Sequence, residues 1–121
     1  MLEDILNFPA AAATSGKSIN EICTLLLIKY RRRFPSIDEL TDGLSKDIGL
    51  IESWIKYSQD KRLTPSWYFI KAGEKYKIGY MNKDCSYNEG VYDDACFACA
   101  TFIKLEIESR LLKQSVNFSS A

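Results

Sequence analysis

The chain has 121 residues, 46% of them hydrophobic, and its 16 lysines and arginines balance 16 aspartates and glutamates. That length suits one domain able to bury a core without disulfides or metal, and the hydrophobic share excludes a natively disordered chain. A net charge of zero speaks against a dedicated nucleic-acid binder, which carries a positive excess.

The chain has no histidine. The commonest general base, the usual partner of a nucleophilic serine or cysteine, and the commonest zinc ligand are therefore missing. Carboxylate, lysine and tyrosine chemistry remain. The first residues, MLEDILNFPA, start acidic and lack the basic region of a secretory signal. No apolar run approaches the roughly 20 residues needed to span a bilayer. A soluble cytoplasmic domain is expected, with its four cysteines reduced. Residues 1–121 read as one domain: a folded core over 1–113 and a polar tail over 114–121 that frays.

In chain order, Leu2, Ile5 and Leu6 share one face of a short helical turn. Pro9 opens a second helix through the alanines and Gly16 stops it. Ser18 and Glu21 have the spacing of a capping box, with Ile22, Leu25 and Leu26 following at helical intervals. Arg31–Arg33 close that helix and Pro35 ends it. Ser36 and Glu39 repeat the capping box. Ile37, Leu40, Leu44, Ile48, Ile51 and Ile55 form an apolar stripe. Gly43 and Gly49 within it predict a break after about Leu44 and a second helix to about Tyr57.

After a linker over Lys61–Pro65 the period changes. Trp67–Ile70 is aromatic and β-prone, Ala72-Gly73-Glu74 reads as a turn, and Tyr76, Ile78 and Tyr80 alternate with Lys75, Lys77 and Gly79. Asn82–Asn88 reads as a polar loop, and Glu89–Tyr92 as a short third strand. Asp93 and Asp94 begin a C-terminal helix, where carboxylates suit the positive end of the dipole. Its apolar residues fall on two faces: Cys96, Cys99, Ala100, Ile103, Ile107 and Leu111 on one, Ala98, Phe102, Leu105 and Leu112 on the other. A helix apolar on two sides is sandwiched, here between sheet and N-terminal helices. The fold class predicted is α+β: a helical first half, a small antiparallel sheet (a hairpin or three-stranded meander), and a C-terminal helix between them.

Several motifs carry chemistry elsewhere. Cys96-Phe97-Ala98-Cys99 has redox spacing near a helix start, but a bulky Phe intervenes and the cysteines sit on the core face. Cysteine is among the most buried residue types, so packing is the reading adopted. A four-cysteine zinc site is usually two close pairs; only one exists beside Cys23 and Cys85. Arg31–Arg33 could grip phosphates, yet cations also complement a helix C-terminus. Asp93 and Asp94 diverge as neighbours and are explained by capping. No catalytic residue, cofactor or metal is expected.

Charge segregation is more informative. Six carboxylates between Asp84 and Glu108 face one lysine, while four lysines between Lys71 and Lys83 face one glutamate. Such asymmetry steers association with charged partners. The acidic stretch has Tyr87 and Tyr92 interleaved. Glu106 and Glu108 fall off the Ile103–Ile107 face, and Asp84 and Glu89 lie in loop-like sequence.

The order of elements, with Thr64-Pro65-Ser66-Trp67-Tyr68-Phe69, then Lys75-Tyr76-Lys77-Ile78-Gly79-Tyr80, then Tyr92-Asp93-Asp94-Ala95-Cys96-Phe97-Ala98-Cys99-Ala100-Thr101-Phe102-Ile103, resembles small bacterial immunity proteins of polymorphic-toxin systems, particularly those of contact-dependent growth inhibition. The likeness runs from about Leu63 to Leu112. It implies a non-catalytic protein that binds a cognate toxin domain, often a nuclease, and blocks its active site or substrate surface. An acidic patch would suit a basic nuclease. From charge and aromatic content, the docking residues expected are Asp84, Tyr87, Glu89, Tyr92 and Glu106, with no membrane or nucleic acid as partner. The alternatives are a nucleic-acid-binding or regulatory module using Arg31–Arg33, and a redox protein using the two cysteines.

Overall fold

The computed structural model describes residues 2–29, 34–60, 66–81, 86–108 and 110, and of these only the backbone at 20, 27–29, 60, 66 and 86–89. Arg31–Arg33, the 61–65 linker, Lys83, Asp84, Cys85 and the 114–121 tail lie outside the described residues.

The helical half comprises α1 (Leu2–Leu6), α2 (Phe8–Thr14), α3 (Ile19–Lys29), α4 (Ile37–Lys46) and α5 (Gly49–Asp60). Both capping boxes form. The Ser18 hydroxyl accepts from the Glu21 N–H at 3.1 Å, and the Glu21 carboxylate accepts from the Ser18 N–H at 3.3 Å. Ser36 and Glu39 repeat the exchange at the same distances. Each box satisfies two orphan N–H groups of a helix start. The apolar stripe breaks after Lys46 as predicted, and Leu40, Leu44, Ile51 and Ile55 are buried. Two stripe residues depart from expectation. Ile48 falls in the break and is 69% exposed, and Leu25 faces partly outward beside buried Ile22 and Leu26.

The sheet is an antiparallel meander of β1 (Ser66–Ala72), β2 (Lys75–Met81) and β3 (Ser86–Tyr92). Gly73 opens the two-residue turn between β1 and β2 with φ +66, a conformation side chains disfavour and hairpin turns require. β3 starts at Ser86, so the segment expected as loop contributes strand. Its register slips opposite Gly79, between Ile78 and Tyr80, and a bulge there absorbs one extra residue.

Helix α6 (Ala95–Ile103) continues as a π-helical turn over Lys104–Glu108. As predicted, it lies between the helices and the sheet, packing on α4 and α5 on one side and on the three strands on the other. Ala98, Cys99, Ala100, Phe102, Ile103 and Ile107 are buried there. A run of rings ties the two halves together. Phe8 stacks on Trp54 (centroids 6.1 Å apart), Trp54 meets Phe102 edge-on at 6.1 Å, and Phe102 stacks on Phe69 of β1 at 5.5 Å. Such pairs contribute roughly 0.5–1.5 kcal/mol each beyond the area they bury. The Trp54 indole N–H donates to the Leu6 carbonyl at 3.1 Å, so this buried ring leaves no donor unsatisfied. α5 also covers the β1 edge, where the Phe69 N–H donates to the Ser58 hydroxyl at 2.7 Å.

Candidate functional site

The acidic stretch chosen from the sequence does not assemble into one surface among the described residues. Asp84 lies outside them, and Tyr87 and Glu89 are described by their backbone in β3, Tyr87 opposite Tyr80. Tyr92 is half-buried against the core, its ring 5.9 Å from Phe97. Glu106 corrects the expectation outright: it is 2% exposed and cannot be a surface docking residue. It stands three residues after buried Ile103, beside the face that packs inward, and a helix covered on two sides leaves no water-facing path there. The other carboxylates are occupied. The Asp94 side chain caps α6 by accepting from the Phe97 N–H at 3.0 Å, Asp93 pairs with Lys75, and Glu108 pairs with Lys104 at 2.6 Å.

Glu106 instead anchors a buried polar cluster. The Tyr57 hydroxyl donates to its Oε2 at 2.9 Å, and the Arg110 guanidinium stands 3.5 Å from the same oxygen. Burial pushes the Tyr57 phenol far above its ordinary range, and the Glu106 charge adds to this. Buried Cys23 feels the same pair. Its thiol is pushed up to about 12 by burial, with Arg110 pulling down and Glu106 pushing up. A buried carboxylate held by two donors is costly to strip of either, so this cluster fixes α5 to the C-terminal helix.

Of the cysteine pair, Cys99 packs in the core as expected, whereas Cys96 is only partly buried against it. Cys99 is fully buried and its thiol is pushed strongly upward by burial; Cys96 is raised by burial and by the Asp94 charge. A redox thiol is activated by the opposite shift. Between α2 and α5 lies an open cleft of about 380 Å³, floored by Ala10, Ala12 and Ala13, with Ser53 and Lys56 as its polar rim.

The two sheet faces differ most clearly. Phe69 and Ile78 pack inward on α6 with 0% and 2% exposure, flanked by Trp67, Tyr76 and Tyr80. The alternate residues face away from every described helix. Tyr68 and Ile70 are half-buried there, Met81 and Val91 are 46% and 56% exposed, and Lys75 and Lys77 lie among them. The Tyr68 ring lies across Gly79, its cross-strand partner, where any Cβ would collide with it. Gly79 thus lets an aromatic ring lie on the sheet. Sequence reasoning weighed this hairpin by its charge; the missed signal is the unbroken run Trp67-Tyr68-Phe69-Ile70. It is apolar on both sides of a strand, in a sheet that the described helices cover on one face.

Compared with protein-family models, curated proteins and solved structures, the chain matches none. No helix among the described residues is long and apolar enough to cross a membrane.

Proposed function

We propose that this protein acts by binding another protein, without a reaction of its own, and that its partner is a toxin domain it neutralises in the cytoplasm of the cell that makes both. The observation that carries the binding reading is the open sheet face. Exposed Met81 and Val91, with Tyr68 and Ile70 beside them, form apolar surface on an element whose other face packs on α6. Clustered exposed apolar residues rimmed by charge mark contact surfaces. Among the described residues, Cys23, Cys99, Tyr57 and Glu106 are buried in the core. The toxin as partner rests on the sequence resemblance, which runs from about Leu63 to Leu112.

The test is to co-express the chain with any toxin-like open reading frame that neighbours its gene. Restored growth of toxin-expressing cells, together with a complex that survives gel filtration, is expected. Growth arrest despite abundant folded protein would contradict the reading.

A further inference from the structure

The strand register arranges the open face in rows. Ser66, Met81 and Ser86 stand abreast, then Tyr68 and Gly79, then Ile70, Lys77 and Val91, then Ala72 and Lys75. Lys77 therefore sits in the middle strand with an aliphatic neighbour on each side. Its half-buried stem lies between them, and among the described residues no carboxylate pairs with it. Lys75 differs, because Asp93 holds its ammonium. A cation whose aliphatic stem lies between apolar neighbours is matched best by an anion that brings apolar surface with it.

We infer that the open face docks a protein surface on which a carboxylate stands among apolar side chains. The carboxylate seats on Lys77, and its apolar surround packs on Tyr68, Ile70, Met81 and Val91. This rests on the reading of the chain as a binder of another protein, and it reverses the charge expected from the sequence: the partner brings the acid. A nucleic acid fits the face less well. Tracking a phosphate backbone takes a groove of several cations, whereas on this face only Lys77 lacks a counterion among the described residues.

The experiment titrates the whole isotope-labelled chain, followed by amide resonances, with three probes. They are a short peptide alternating glutamate and leucine, its lysine–leucine counterpart, and oligothymidylate. The glutamate peptide is expected to shift Ile70, Lys77, Met81 and Val91 and to bind roughly tenfold more weakly to Lys77→Glu. Lys77→Met, which keeps an unbranched stem, is expected to lose the preference for the glutamate peptide. An equal response to the lysine peptide, shifts confined to another surface, tighter binding of oligothymidylate, or an unchanged Lys77→Glu would each overturn the inference. If the peptide behaves as expected and the toxin domain does not bind, the functional reading falls alone. If the toxin domain binds Lys77→Glu as well as the parent chain, only the docking inference falls.

Discussion

The two faces of the sheet are built from the same three strands, often from adjacent residues, and have different surroundings. Phe69 is fully buried against Phe102, while Ile70, the next residue, stands on the open face beside Lys77. On β2, Ile78 is buried and Met81 is nearly half exposed. Period-two alternation lets a strand serve both purposes without compromise. The inner positions are constrained by packing on α6, whereas exposed outer positions such as Met81 and Val91 are less so. Stability and recognition are therefore expected to separate residue by residue along β1 and β2.

The largest effect belongs to the inner face. Phe69→Ala should destabilise the fold by about 3–5 kcal/mol, because it removes a ring stacked on Phe102 and leaves a cavity. Urea unfolding measures this, and a loss below about 1 kcal/mol would mean the sheet is not locked to α6 by that ring. Next comes the buried cluster. Glu106→Gln keeps an acceptor for the Tyr57 hydroxyl but removes the charge of a buried carboxylate paired with the part-buried Arg110 guanidinium, at about 1.5–3 kcal/mol. The same variant should leave partner affinity unchanged, because the side chain never reaches the surface.

A pH series sharpens the inner side further. Below pH 9.0, the ordinary value for a thiol, Cys23 is protonated whether the chain is folded or not, so it adds no pH dependence. Above it the unfolded chain loses a proton that the fold retains to about 12. Stability should fall through that window, by at most about 1.4 kcal/mol per pH unit for this thiol. Cys99 and Tyr57 act in the same direction. Urea midpoints from neutral to alkaline pH check this, and Cys23→Ala should flatten part of the slope. The smallest effect belongs to the open face: Val91→Ser should change stability by no more than about 0.5 kcal/mol.

Much of the architecture was legible because local signals and tertiary packing agree. The boxes at Ser18 and Ser36, the glycine at 73 and the alternation of β2 each state a backbone geometry that the fold then uses. The double-sided apolar pattern of α6 placed it between layers. The start of β3 was less legible: Ser86 and Asn88 have turn chemistry, and pairing with β2 overrides it. The site was legible only in part. A segment's net charge counts every carboxylate alike, while the fold spends Asp94 on a cap, Asp93 and Glu108 on lysines, and Glu106 on Tyr57 and Arg110. Asp84 and the side chains of Tyr87 and Glu89 lie outside what the structure describes, and the proposed docking face is on the hairpin whose charge has the opposite sign.

The central claim is that one face of the sheet folds the protein and the other recognises its partner. It is tested most directly by measuring Lys77→Glu twice: thermal unfolding of the free protein, and affinity for the toxin domain obtained by co-expression. The account predicts an unfolding midpoint matching the parent chain and an affinity weaker by roughly tenfold or more. An unchanged affinity, or a loss of affinity matched by a loss of stability, would contradict it.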